Sequence, residues 1–125
     1  MDEQDPLTQA VIGAAIEVHR EMGPGLLESI YQKCLVHELR LRKIECQPKA
    51  RLHIAYKGEI IDDDDLVIDV FVPGRLVVEL KAIEKLLPIH EAQLLTYLRL
   101  SKTHTGLLIN FNVRLLKEGL KRMVL

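Results

Sequence analysis

The chain has 125 residues, 48% apolar and 28% charged, which suffices for one domain spanning residues 1–125 with a buried core and excludes a disordered segment. Its net charge of −1 excludes a protein that coats nucleic acid by charge alone, but not an enzyme whose acidic metal ligands cancel local Lys and Arg. No apolar run reaches the roughly 20 residues that span a bilayer, and the acidic start MDEQDPLTQ is no export signal, so a cytoplasmic location without membrane contact is expected.

Asp5-Pro6 supplies an N-cap and a proline at the first helical position, and Leu7, Val11, Ala14, Ala15 and Val18 recur at helical spacing. These predict a helix from about Pro6 to Glu21, with His19 near its end as a satisfied structural histidine. Gly23–Gly25 breaks it. A second helix follows from about Leu26 to Lys43, with Leu27, Ile30, Tyr31, Cys34 and Leu35 on its apolar side. Cys34 and Cys46 lack CxxC spacing and predict neither a zinc site nor a disulfide, and Cys34 belongs to the core. Arg40–Lys43 and Lys121-Arg122 read as ordinary surface charge, with steering of a phosphate backbone as the alternative.

The period then changes to two. Leu52, Ile54 and Tyr56 alternate with Arg51, His53 and Ala55, and Lys57-Gly58 suits a tight hairpin turn. Asp62–Asp65 lacks the spacing of a calcium loop and reads as a solvated acidic loop. Two apolar runs hinged at Pro73-Gly74 come next, then a helix from Pro88 to about Leu100 and a buried strand over Thr105–Phe111. The last segment, Val113–Leu125, reads as a short helix with room for a strand at Met123–Leu125. The order ααβββαβα predicts an α/β fold, one mixed sheet flanked by helices.

The hairpin Asp69–Lys81 holds charges that a purely structural strand would avoid. Alternation sets Glu79 and Lys81 on one face, opposite Leu76, Val78 and Leu80. If Val72 pairs with Leu76 across the loop Pro73-Gly74-Arg75, Asp69 lies opposite Glu79 with Cβ atoms about 5 Å apart. That register also sets Leu76, Val78 and Leu80 on the same core face as Ile68 and Val70. A two-residue loop would instead bring Val78 opposite Asp69. Two carboxylates so close repel unless a cation intervenes. Lys81 supplies one positive charge, and Mg²⁺ or Mn²⁺, held by one or two carboxylates plus water and phosphate oxygens, would supply two. A solvent-facing ion-pair ladder stands beside this reading and predicts that Asp69 and Glu79 point apart.

On the helix after Pro88, His90, Gln93 and Tyr97 fall at i, i+3 and i+7 and form a polar stripe of imidazole, amide and phenol. Asp69, then Glu79-Leu80-Lys81, then Gln93 through Tyr97 resembles the D…E-x-K…Q-x-x-x-Y signature of the PD-(D/E)XK nuclease superfamily, in its RecB-like branch. Gly25, Glu28 and Tyr31 in VHREMGPGLLESIY resemble the GxxExxY family within it. The similarity runs from about Ala15 to the C-terminus.

The resemblance implies a restriction-endonuclease-like core with a central four-stranded mixed sheet, and a metal-dependent nuclease acting on DNA more than RNA. It implies Glu28, Asp69 and Glu79 at a Mg²⁺ or Mn²⁺ ion, and Lys81 as catalytic lysine. Gln93 and Tyr97 match the motif for substrate phosphate and site organisation, with His90 beside them and Tyr31 as a further substrate contact. Asp69 follows Ile68 where the pattern has proline. A catalytically silent fold that binds nucleic acid or a protein partner is the alternative, and the partners open to the chain include a protein or a second copy of itself.

Overall fold

The computed structural model describes residues 5–61 and 66–125, so the acidic run Asp62–Asp65 lies outside the described residues. Helix α1 spans Pro6–Met22. Asp5 caps it, its carboxylate accepting from the Leu7 N–H at 3.3 Å and the Thr8 hydroxyl at 2.7 Å. Helix α2 spans Glu28–Leu41. Five strands, β1 (Gln47–Leu52), β4 (Leu66–Val72), β5 (Leu76–Lys81), β6 (Thr105–Asn110) and β7 (Leu120–Val124), form one sheet in the order β1-β4-β5-β6-β7. The β5–β6 pair is parallel and the other three pairs are antiparallel. Strands β2 (Ala55–Tyr56) and β3 (Glu59–Ile60) make a separate small hairpin about Lys57-Gly58. Helix α3, Pro88–Ser101, is the crossover between β5 and β6 that parallel pairing requires.

The sheet separates two cores. Helices α1 and α2 cover one face, packing Val11, Ala14, Tyr31, Leu35 and Leu39 against Val70, Val78, Leu80, Leu107 and Ile109. Helix α3 covers the other, packing Leu94 and Leu98 against Ile68, Phe71, Val77 and Leu108. This is the mixed α/β, restriction-endonuclease-like arrangement anticipated from the sequence, with five strands in the main sheet where the resemblance implied four.

The C-terminal segment differs from the expected helix. A 3-10 turn, Leu116–Gly119, is followed by β7, which runs back along β6 from Leu120 opposite Ile109 to Val124 opposite Thr105. Gly119 explains the change. A Cβ at that position would run into the Asn110 carbonyl, so the chain passes close against the end of β6 there and continues as a strand.

Candidate metal and phosphodiester site

The turn at Pro73-Gly74 fixes the register of the charged hairpin. The Arg75 N–H donates to the Val72 carbonyl at 2.9 Å, and Gly74 adopts φ 74° at the third position of that turn. Val72 then pairs with Leu76, Phe71 with Val77 and Val70 with Val78. Continued one residue, this register brings Asp69 opposite Glu79, as the three-residue loop predicts.

At that position side chains replace the ladder. The Asp69 N–H donates to Glu79 Oε1 at 3.1 Å, and the Leu80 N–H donates to Asp69 Oδ2 at 2.8 Å. Each strand therefore holds the carboxylate of the other, so the two acids face one another across the strand gap and do not form a ladder of diverging surface charges. On the other side Asp69 lies opposite Lys49, whose φ of 51° is unusual for a side-chain-bearing residue in a strand. The pleat loses its alternation here. Ile68 packs in the α3 core while Val70, two residues on, packs in the α1–α2 core. The expectation that Ile68 and Val70 share a face is thus corrected: the distorted backbone at Lys49 and Asp69 turns the strand over.

Burial dominates the electrostatics. Glu79 is only 8% exposed, and desolvation with the adjacent Asp69 charge pushes its carboxyl up to about 8, against the opposing Asp69 N–H and Lys81 ammonium. The Asp69 carboxyl is also raised, chiefly by burial and further by Glu28. The Leu80 N–H, Lys81 and Lys49 pull it down. Tyr97 is raised by burial and by the negative charges of Glu79 and Asp69, which places the α3 phenol within electrostatic reach of the pair.

Glu28 reaches the same end of the sheet from α2, accepting from the Ala82 N–H at 3.2 Å just beyond Lys81. Its position depends on the glycine turn before it. Gly25 has φ 103°, and the Tyr31 hydroxyl bridges the turn, donating to the Gly23 carbonyl and accepting from the Leu26 N–H. The Tyr31 ring is fully buried and stacks on Phe111 at 4.5 Å between centroids. Tyr31 therefore packs, as its place on the apolar side of α2 predicts, and its hydroxyl clamps the turn that starts α2 at Glu28.

The other stripe residues divide. His90 Nδ1 accepts from the Leu87 N–H at 2.9 Å, so this imidazole caps α3. Gln93 is exposed one turn before Tyr97. His19, buried, has Nε2 at 2.8 Å from the Val113 carbonyl, as a satisfied structural histidine should.

Two buried amides that support the site were not singled out from the sequence. Gln32 Nε2 donates to the Asp69 carbonyl at 3.1 Å, anchoring the distorted position from α2. Its signal was present, since it lies four residues after Glu28 on the same helical face. Asn110, at the end of β6, accepts from the Ile83 N–H at 3.1 Å and donates to the Ile83 carbonyl at 2.9 Å, holding the loop that follows Lys81. A lone Asn closing the apolar run Thr105–Ile109 was its trace in the sequence.

Among the described residues no group of three or more His, Cys, Asp and Glu side chains stands ready to ligate a metal. The donor chemistry nevertheless fits a hard cation. Asp69 and Glu79 each commit one oxygen to a backbone N–H and keep a second, and burial together with the neighbouring Asp69 charge raises the Glu79 carboxyl. Two carboxylates completed by water and phosphate oxygens are a common Mg²⁺ environment. Among the described residues no helix is long and apolar enough to cross a membrane. No curated protein and no solved structure matches the chain. The family model of the PD-(D/E)XK nuclease superfamily matches residues 5–123, and with the acid–acid–lysine hairpin inside that span the chain belongs to this superfamily.

Proposed function

We propose that the chain is a single-domain, cytoplasmic Mg²⁺- or Mn²⁺-dependent nuclease of the GxxExxY family in the RecB-like branch, cleaving DNA in preference to RNA. The observation that carries this reading is the reciprocal brace of Asp69 and Glu79, with Lys81 two residues along the same strand. Asp69 and Glu79 would hold the ion, with Glu28 completing the set from α2. A divalent cation bound there supplies neutralising charge at the phosphate and water of lowered pKa. The Lys81 ammonium stabilises negative charge as it grows on the phosphoryl oxygens. Tyr97, and Gln93 one turn before it, orient the phosphate from α3. The Tyr31 clamp on the turn supports the GxxExxY assignment, because Gly25 supplies the turn's positive φ, Tyr31 bonds to Gly23 and Leu26 on either side of it, and Glu28 follows to the end of β5.

A silent binding module is the second reading. It is favoured by the brace itself, which ties one oxygen of each strand acid to backbone. Purified protein with Mn²⁺, offered single- and double-stranded DNA and RNA, separates the two. Cleavage lost in Asp69→Asn and Lys81→Ala supports the nuclease. Absence of cleavage, with nucleic-acid binding that survives both substitutions, supports the silent module.

A further inference from the structure

A groove of about 310 Å³ runs between α2 and the edge strand β1. Lys33, His37 and Arg40 line it from the helix and Lys49 from the strand, and among the described residues no acidic side chain lines it. The helical three fall at i, i+4 and i+7 and so project from one face of α2, and all four basic residues are exposed. In a chain of 17 basic and 18 acidic residues, such segregation of charge along one cleft focuses a positive potential that the whole molecule lacks.

Two residues join this groove to the acid pair. Gln32 lines the groove and donates to the Asp69 carbonyl. Lys49 lines it from the position opposite Asp69. Its left-handed backbone conformation is the kind of strain that persists where a side chain must be aimed.

We infer that this groove holds the sugar-phosphate backbone of a single nucleic-acid strand on one side of the bond to be cleaved, with Lys33, Arg40 and Lys49 contacting successive phosphates. The inference rests on the nuclease reading for its destination and adds the path by which the strand arrives. The space, equivalent to roughly ten water molecules, has room for one sugar-phosphate backbone. An acidic peptide would satisfy the lysines, but its carboxylates would then be led toward Asp69 and Glu79. A phosphodiester chain brings to that end the group on which the site acts.

The test is fluorescence anisotropy with a labelled single-stranded oligonucleotide of about 12 nucleotides in EDTA, between about 50 and 200 mM salt. Wild type is compared with Lys33→Glu/Arg40→Glu, and with Arg99→Glu/Lys117→Glu as an equal charge change at exposed positions outside the groove. The groove variant should bind at least about tenfold more weakly, with a logarithmic salt slope shallower by about 1.4, because each lost phosphate contact removes about 0.7. The control should stay within about threefold of wild type. Equal weakening of both variants, no binding by wild type, or equally tight binding of a poly-Glu peptide of matched charge would overturn the proposal. Cleavage with Mn²⁺ is scored separately. Groove-dependent binding without cleavage leaves the groove standing and removes the nuclease reading. Cleavage of the oligonucleotide at wild-type efficiency by the groove variant does the reverse.

Discussion

Replacing Glu79 by Gln removes a titratable proton while retaining the carbonyl oxygen that accepts from the Asp69 N–H. In the metal-free protein the Glu79 carboxyl titrates at about 8, against an ordinary value of 4.5. Because the folded value is the higher one, the stabilising proton is fully held below about pH 4.5 and is lost as pH rises through about 8. The interval is worth roughly 5 kcal/mol as an upper figure, since about 1.4 kcal/mol accompanies each tenfold change. Asp69 is raised as well and loses stability in the same direction. For a domain of this size each kcal/mol moves Tm by about 4 °C, so metal-free wild type should melt on the order of 10–20 °C lower at pH 8.5 than at pH 5.5. Glu79→Gln should flatten that decline, and at pH 8.5 in EDTA the variant should melt above wild type. Adding Mn²⁺ at pH 8.5 should raise wild-type Tm and leave the variant nearly unmoved, because bound cation stabilises only a fold that can bind it. Differential scanning fluorimetry across pH, with and without metal, measures all of this. A variant less stable than wild type at pH 8.5, or two parallel pH curves, would refute the account of Glu79 as a carboxyl raised by burial and by Asp69.

Gln32→Leu leaves the buried Asp69 carbonyl without its amide donor and should cost about 1–3 kcal/mol in urea unfolding. Its cleavage rate with Mn²⁺ should fall although the residue itself touches no metal. Tyr31→Phe keeps the stack on Phe111 and loses both turn hydrogen bonds, so unfolding should show a loss of about 1–2 kcal/mol with KM for an oligonucleotide unchanged. A raised KM without a stability change would restore Tyr31 as a substrate contact. Gly119→Ala forces a methyl against the Asn110 carbonyl, and chemical denaturation should show a loss of about 1–3 kcal/mol, whereas Gly74→Ala meets only backbone strain.

The hairpin register was legible because turn chemistry and strand period agree on it. Pro73 and Gly74 occupy the second and third positions of a tight turn, and the alternation of β5 buries Leu76, Val78 and Leu80 together. The two-residue strand period failed past Leu52, where β1 ends and Ala55–Tyr56 joins a separate exposed hairpin, and also at Asp69. Period arguments assume an unbroken pleat, and here a left-handed Lys49 opposite an acid that bonds sideways to the next strand interrupts it in both strands at once. Tertiary placement decided the remainder. Helix-forming residues in Leu115–Met123 are overruled by the close approach at Gly119 and by the pairing offered by β6. His90 shares its helical stripe with Gln93 and Tyr97, but at the third position of the helix its ring accepts from the N–H of the N-cap residue Leu87, a local bond that the stripe alone does not reveal.

The broken pleat also explains why charge sits in the most apolar hairpin of the chain. A strand pair joined only by backbone hydrogen bonds would bury positions 69 and 79 as aliphatic residues at no electrostatic cost. Here the ladder is interrupted, two backbone N–H groups are given to carboxylates, and one carboxyl is driven far above its ordinary value. Gln32 from α2 anchors the distorted position at the Asp69 carbonyl, and Asn110 from β6 holds the loop that follows Lys81, each by a buried amide bonded to backbone. Supporting bonds of this kind belong to a position whose geometry matters more than its stability. What the interrupted ladder produces is two buried acids, each held by a backbone N–H of the opposite strand and each raised by burial, the pair that the proposed divalent cation would stabilise.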